Sequence, residues 1–186
     1  KKDPANLYCL KGIAWIAYSH DRDYTKAKHI LQFILSQTNM PELKLILAEI
    51  AESENNNAEK NRCLTEFVND IQQPGYGEMY NKYLVTLYND EFSQYDKALT
   101  IAEKELKNRH TPETCDWLAW SYYKAGEKEK AMHYAKGYVY KRTFEPEAIM
   151  HTAFIYADNG RKQEAEVMLK DCLQSSFELG PVATKK

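Results

Sequence analysis

The feature that most constrains this chain is a repeat of 34 residues in its C-terminal half. The segment TPETCDWLAWSYYKAGEKEKA begins at Thr111, and EPEAIMHTAFIYADNGRKQEA begins at Glu145. Identical residues recur at this one offset: Pro112 and Pro146, Tyr122 and Tyr156, Gly126 and Gly160, Ala131 and Ala165. A period of this length indicates an array of stacked units, because one unit cannot bury its apolar face alone.

Weaker copies extend the repeat toward the N-terminus. Segments that end at Ala27 and Ala98 carry the same turn and alanine, and a further copy begins at Pro41. We predict a single domain over 1–186, with repeats at about 4–40, 41–75, 76–111, 112–145 and 146–178 and a tail at 179–186. The longer step between the second and third units contains QQPGYGE, a loop of turn-forming residues.

Each unit is predicted to be two helices, called helix A and helix B here. Helix A of the fourth unit has an apolar stripe at i, i+3, i+4 and i+7: Cys115, Leu118, Ala119 and Tyr122. Gly126 ends this helix, and the stripe of helix B starts at Ala131. Proline suits the first turn of a helix and stands at the unit starts Pro4, Pro41, Pro112 and Pro146. The chain is therefore predicted to be all-α, with about ten helices.

These units resemble the tetratricopeptide repeat, a helix–turn–helix of 34 residues with the pattern W-x2-L-G-x2-Y, A-x3-F and P. The fourth unit matches it at Leu118, Ala119, Tyr122 and Ala131, and the fifth at Ala153, Tyr156, Ala165 and Leu169. Three positions depart from the pattern: Trp15, Lys60 and Asn89. The resemblance covers about residues 6–177 and implies a right-handed α-solenoid of about five tetratricopeptide-like repeats.

The resemblance also implies that one face of each helix A lines a concave groove. The residues expected at or near this groove, as candidates for ligand binding, are Tyr80, Tyr83, Asp90, Asp116, Trp117, Trp120, Tyr123, His151 and Phe154. Tryptophan and tyrosine are favoured at binding hot spots because they combine a large apolar area with a polar group. The alternative is that Trp117 and Trp120 wedge between adjacent units as part of the core.

Carboxylates occur at the same groove offsets: Glu49, Glu52, Asp90, Glu91, Glu113, Asp116 and Asp158. They are either a solvated face or the wall of a groove that prefers peptides with basic and aromatic groups. Some members of the family hold a chaperone's C-terminal carboxylate with a Lys/Asn/Arg clamp. The corresponding positions here include Gly12, Ile16 and Trp117, so the clamp is absent and a chaperone-tail adaptor is not expected.

The motifs of common enzymes are missing, including the phosphate-binding loop, the dinucleotide fingerprint, H-E-x-x-H and G-x-S-x-G. His151 is the histidine expected in the groove, where a lining role is favoured over catalysis. Cys115 is expected near His151, but its packing position argues against a thiol nucleophile. The four cysteines are too widely spaced for zinc and are expected to be buried thiols. We expect no enzyme, no catalytic residue, no metal and no cofactor.

Charge and hydropathy limit the class of partner. The 25 Lys and Arg residues nearly cancel the 27 Asp and Glu residues, so no nucleic acid is expected. No apolar run is long enough for a membrane span. A soluble protein is predicted, in the cytoplasm or, if an export signal was removed, in the periplasm or outside the cell. The first residue is Lys rather than Met, which leaves the compartment open.

The favoured function is a non-catalytic scaffold that binds a peptide or protein segment in the concave groove. The alternative is a regulatory or assembly domain of a larger protein, which docks through its terminal faces. The last helix, about Arg161 to Phe177, has apolar residues on more than one face: Val167, Met168, Leu169, Cys172 and Leu173. Because ELGPVATKK is predicted to be too short for a capping helix, part of this face should be exposed, for a homodimer or another partner.

Overall fold

The structure is a computed structural model and describes residues 6–185. These residues contain helices and no β-strand, so the predicted all-α class is confirmed. The predicted start at Pro4 lies outside the described residues. The helices are α1 (Leu7–Ser19), α2 (Tyr24–Gln37), α3 (Leu43–Ser53), α4 (Asn57–Ile71), α5 (Asn81–Asp90), α6 (Tyr95–Asn108), α7 (Pro112–Lys124), α8 (Lys128–Tyr134), α9 (Pro146–Asp158), α10 (Lys162–Gln174) and α11 (Ser176–Ala183). A π-helical turn, Ala135–Val139, directly continues α8.

The helices form two compact units. Unit 1 contains α1 to α4 together with α11, and unit 2 contains α5 to α10. In unit 1, α1 pairs with α2, α3 pairs with α4, and α11 packs against α1 and α3. In unit 2 the pairs are α5 with α6, α7 with α8, and α9 with α10, while α7 also packs against α5 and α9. One continuous domain over 1–186 stays a prediction.

Small residues allow the two helices of each pair to approach closely. Ala27, Ala98, Ala131 and Ala165, the first-turn alanines of the B helices, are all buried. A larger side chain at these positions would overpack the pair, at a cost of about 1–3 kcal/mol. In the second pair the alanine is replaced by Lys60, whose ammonium reaches Glu52 on α3 at 2.8 Å. The lysine is accommodated because its ammonium pairs with this carboxylate of the partner helix.

Each helix pair turns at one residue with a left-handed backbone. These residues are Arg22, Asn55, Ser93, Gly126 and Gly160, with φ between 52° and 84°. In sequence, successive turn residues are 33, 38, 33 and 34 positions apart, close to the 34-residue repeat, and the longest step spans the loop QQPGYGE. Glycine adopts this conformation without strain and other residues do not. Only the last two turns carry glycine, although all five have the same geometry.

The helix starts follow local capping chemistry. α7 begins at Pro112, where the side chain of Thr111 accepts from the Thr114 N–H in a capping box, and α9 begins at Pro146. α5 begins at Asn81, later than the predicted unit start at residue 76. The inserted loop QQPGYGE occupies residues 72–78 and has positive φ angles at Gly75 and Gly77, 111° and 55°, which are not helical. The helix therefore begins only after this loop.

The C-terminal tail predicted at 179–186 overlaps a short helix. Residues Ser176–Ala183 form the short helix α11, which breaks at Gly180. A helix of this length is marginal in water and depends on packing for its stability. That packing comes from α1 and α3, where Trp15 lies against Phe177 at 6.5 Å between ring centroids. The large side chain of Trp15 thus replaces the small residue of the repeat pattern and supports α11.

Candidate aromatic and ionic binding site

The A helices of unit 2 bring together four rings that we call the aromatic stack: Trp120, Tyr123, His151 and Phe154. Trp120 and Tyr123 are three residues apart on α7, and His151 and Phe154 are three apart on α9. This spacing places two side chains on the same face of a helix. Because α7 packs against α9, the two faces meet and the rings lie in contact.

Trp120 is the centre of the aromatic stack. Its ring lies 4.1 Å from His151 and 5.1 Å from Tyr123 between centroids, with interplanar angles of 9° and 24°. Phe154 lies 6.2 Å away at a tilted angle. Offset and stacked arrangements of this kind stabilise by about 0.5–1.5 kcal/mol per pair beyond area burial. Only 8% of Trp120 is exposed, so its indole is mainly a packing element.

Asp90 and Lys124 fix the polar edge of the indole. The Trp120 Nε1–H donates to Asp90 Oδ1 at 3.2 Å, and Lys124 Nζ lies 3.0 Å from the same oxygen. Lys124 also lies over the indole ring, 5.4 Å from its centroid. The carboxylate on α5 therefore satisfies a ring N–H and a lysine on α7, which ties these two helices together.

His151 and Asp116 form a buried pair between α9 and α7. His151 Nδ1 lies 3.1 Å from Asp116 Oδ2, and both side chains are buried. Burial lowers the pKa of His151, but the charge and hydrogen bond of Asp116, together with Glu147 and Asp90, raise the pKa by more. The pKa of His151 therefore lies above its usual value, and the pair favours an imidazolium beside a carboxylate.

Exposed charges surround the buried part of the site. The Tyr123 hydroxyl donates to Asp158 Oδ2 at 3.1 Å, and Lys128 Nζ lies 3.5 Å from the same oxygen. Burial, followed by this hydrogen bond and the charge of Asp158, raises the pKa of Tyr123. On the other side, Lys82 of α5 pairs with Glu147 of α9 at 3.3 Å. Both ion pairs are open to solvent.

The other predicted site residues lie outside the aromatic stack. Tyr80 and Tyr83, at the start of α5, pack on each other at 6.0 Å between centroids. Tyr80 is buried and Tyr83 is 37% exposed. Trp117 packs against the core between α5, α6 and α7, with the Arg109 guanidinium 5.9 Å from its ring centroid. The wedge interpretation therefore describes Trp117 better than a groove position does.

Sequence reasoning missed four residues of the site: Lys82, Lys124, Lys128 and Glu147. Lys124 had a detectable signal, because it follows Trp120 by four residues and so shares its helix face. The Lys82–Glu147 pair joins α5 to α9 across 65 positions of sequence, a separation that no local pattern reveals.

The Cys115 thiol lies near His110, with Sγ 3.9 Å from Nδ1. Its expected proximity to His151 stays a prediction. Burial, together with the charges of Asp116 and Glu113, raises the pKa of Cys115 to about 11. The sulfur is therefore a neutral thiol near pH 7, and a neutral thiol is a poor nucleophile.

Within residues 6–185, no three His, Cys, Asp or Glu side chains are grouped so that they could hold a metal ion. No helix in the same residues has the length and apolar character needed to cross a membrane.

Two comparisons with known proteins give a match, one over part of unit 2 and one over most of the chain. Residues 92–172 match the model of a TPR-like repeat family described as subunit 3 of the anaphase-promoting complex, cyclosome. A solved structure titled MamA AMB-1 is 16% identical, with 92% of each chain covered and a TM-score of 0.44. None of the curated proteins compared with the chain matches it.

The repeat assignment rests on the helix pairs, the buried alanines and the family model. The matched residues 92–172 contain all of α6 to α9 and most of α10, which carry the clearest repeats. The five turn residues keep the same steps through both units. Residues 92–172 of this chain are therefore similar to a TPR-like repeat family.

Proposed function

We propose that the chain is a non-catalytic protein-interaction scaffold, which binds a peptide or protein segment. The segment binds on the face shared by α5, α7 and α9, the A helices of unit 2, which we call the helix-A face. The observation that carries this proposal is the aromatic stack, which is joined to carboxylates on all three helices. The matching family is described as a subunit of a complex, which agrees with a role in protein assembly. The proposal includes no cofactor, no metal and no nucleic-acid partner.

The buried part of the site supports binding through rigidity. Asp90 holds the indole of Trp120, and Asp116 holds the imidazole of His151. A ligand that meets side chains already held in place does not have to order them, so less free energy is lost on binding. In this proposal the buried rings position the partly exposed ones, Tyr123 and Phe154.

The exposed part of the site indicates the chemistry of the ligand. Asp158 and Glu147 are each paired with a lysine that is also exposed. Exposed ion pairs stabilise by only about 0–1 kcal/mol, so a basic group of a ligand can replace either lysine. Tyr123, which donates to Asp158, and Phe154, one turn before Asp158, offer ring surface beside this carboxylate, and the exposed Tyr83 follows Lys82 on α5. The favoured partner is thus a segment with basic and aromatic side chains.

Panning a phage library of random peptides against the full chain tests this proposal. Enriched peptides should be rich in Lys or Arg together with aromatic residues. Their affinity should fall about 5- to 10-fold for Asp158→Asn, which removes one charge contact of about 1 kcal/mol or more. Asp171→Asn is the matched control, because Asp171 is an exposed aspartate on α10 and should have no effect. Enriched peptides that bind both variants as tightly as the wild type would contradict the proposal.

The exposed face of α10 supports a second candidate function, docking in a homodimer or in a larger assembly. Val167 and Leu173 are each 59% exposed, and Phe144, in the loop before α9, is 96% exposed. Val167 and Phe144 line a pocket of about 410 Å³ between the π-helical turn, α9 and α10. Met168 and Cys172, which were expected on this face, are buried instead. Exposed apolar patches commonly bind partners.

Sedimentation velocity over a range of concentrations tests the homodimer. We expect a concentration-dependent dimer that Val167→Glu disrupts, because a buried unpaired carboxylate opposes association. Thr100→Glu is the control, since it adds the same charge at an exposed position on α6. A chain that stays monomeric at high concentration would exclude the homodimer.

A further inference from the structure

Helix α11 covers the A helices of unit 1. It packs against α1 and α3, which are the A helices of the first two pairs. In unit 2 the corresponding helices carry the aromatic stack. A segment of the chain itself therefore packs on the A helices of unit 1.

The side chains beneath α11 form a built site. The Tyr18 hydroxyl donates to Glu49 Oε2 at 2.6 Å, which links α1 to α3. The ring of Trp15 packs edge-on against Tyr18, with 5.5 Å between centroids. The Ser19 hydroxyl donates to the backbone oxygen of Phe177 at 2.6 Å, and Ser19 is itself buried. The aromatic side chains that contact α11 and the hydroxyl that donates to it are thus all on α1, and Glu49 of α3 fixes the ring of Tyr18 beneath it.

The segment that occupies the site meets it through a glycine and a proline. Gly180 and Pro181 are buried, and Gly180 has a φ of +77°. A Cβ at Gly180 would be 3.2 Å from Cη2 of Trp15 and 3.6 Å from Glu49 Oε2. Glycine is therefore needed for two separate reasons, the left-handed backbone and the lack of space. Phe177 adds the aromatic contact with Trp15.

The segment depends on this site for its structure. α11 has eight residues and is interrupted at Gly180, which is too short for a helix to persist alone in water. Phe177 is still about half exposed, so the area that holds the segment is limited. A short segment with a limited contact opens at a lower free energy than the core of a domain does.

We propose that this face of α1 and α3 is a binding site for a peptide with an aromatic residue followed three positions later by Gly-Pro, and that its resident occupant is the chain's own segment 176–183, held reversibly. The site lies in unit 1, so it stands or falls separately from the function proposed for unit 2.

The test uses the full chain and a labelled peptide with the sequence of residues 174–186. Gly180→Val should release the resident segment and leave the site open. By fluorescence anisotropy, this variant should bind the peptide at least about 10-fold more tightly than the wild type. The tethered segment of the wild type competes at a high effective concentration, which accounts for the difference. A Gly180→Val chain that keeps its helical circular dichroism but does not bind the peptide would overturn the proposal.

Two controls separate site binding from nonspecific adhesion. A peptide that itself carries valine at position 180 should not bind, because its Cβ meets Trp15. In the Gly180→Val chain, the further change Ser19→Ala should weaken the normal peptide several-fold, since it removes only the hydrogen bond to the Phe177 carbonyl. Equal binding of both peptides, or no effect of Ser19→Ala, would show that the peptide binds elsewhere and would refute the site.

Discussion

Trp120 and His151 lie face to face, 4.1 Å apart between ring centroids and 9° from parallel. Asp116, one helical turn before Trp120, contacts Nδ1 of the same imidazole at 3.1 Å. A carboxylate and an aromatic face both attract a cation, so the two contacts favour the protonated ring. The contact between α7 and α9 is therefore both a packing contact and an electrostatic one.

The first prediction concerns pH. The folded-state pKa of His151 is raised, so its stabilising contribution is complete below the unfolded-state pKa of about 6.5 and is lost as pH rises through the folded pKa. His151→Gln should therefore lower the free energy of unfolding more at about pH 5.5 than above the folded pKa. Urea denaturation of both proteins across this range measures the difference. A loss that is the same at every pH would contradict the protonated pair.

The second prediction concerns the indole of Trp120. Trp120→Ala removes a nearly buried ring and should cost about 3–5 kcal/mol of unfolding free energy. Trp120→Phe keeps much of the ring contact but leaves Asp90 without the indole N–H. This variant should therefore cost about 1–2 kcal/mol of unfolding free energy. Chemical denaturation measures both values. The exposed ring of Tyr138 provides a control, since Tyr138→Ala should cost much less.

The third prediction concerns the turns. Ser93 has a left-handed backbone, as Gly126 does. Ser93 carries a Cβ atom, which makes this backbone conformation strained. Ser93→Gly should stabilise the chain by about 0.5–1 kcal/mol, and Gly126→Ser should destabilise it by about 1 kcal/mol. Thermal unfolding of both variants tests the pair. If both substitutions shift stability in the same direction, backbone strain does not distinguish these turns.

The fourth prediction concerns the thiols. Cys9 is exposed, whereas Cys63, Cys115 and Cys172 are buried, and burial raises the pKa of each of these three to about 11. At about pH 8 a chromogenic thiol reagent should react quickly with one cysteine and slowly with the other three. The fast phase should disappear in Cys9→Ser. Rapid reaction of two or more thiols in the folded chain would show that the helix pairs open easily.

The fold was predictable because the repeat is local. Ala98 and Ala131 occupy the close-packed positions that the spacing assigns to them, and Pro112 and Pro146 begin the helices that they were expected to begin. Each of these signals depends on residues within one helical turn or one unit of 34. At these positions, local sequence was sufficient to predict the helix starts and the close-packed residues.

The site was predictable only in part because its contacts are between helices. Asp116 and His151 were both candidates, but nothing in the sequence pairs residues 35 positions apart on different helices. Likewise, Gly180 and Pro181 indicate a helix break, and they do not reveal that Trp15 supports a helix there. Offsets within a repeat identify a helix face, while the partner of each side chain depends on the packing of neighbouring helices.

The proposed function predicts that a peptide with basic and aromatic groups binds on the helix-A face of α5, α7 and α9. The most direct measurement is calorimetric titration of a panned peptide into the wild type, Tyr83→Ala and Tyr138→Ala. The two tyrosines are equally exposed, at 37%, and Tyr83 is on the proposed face whereas Tyr138 is in the π-helical turn. We predict that Tyr83→Ala raises the dissociation constant about 10-fold and that Tyr138→Ala leaves it unchanged. The opposite ranking, or no change with either variant, would contradict the claim.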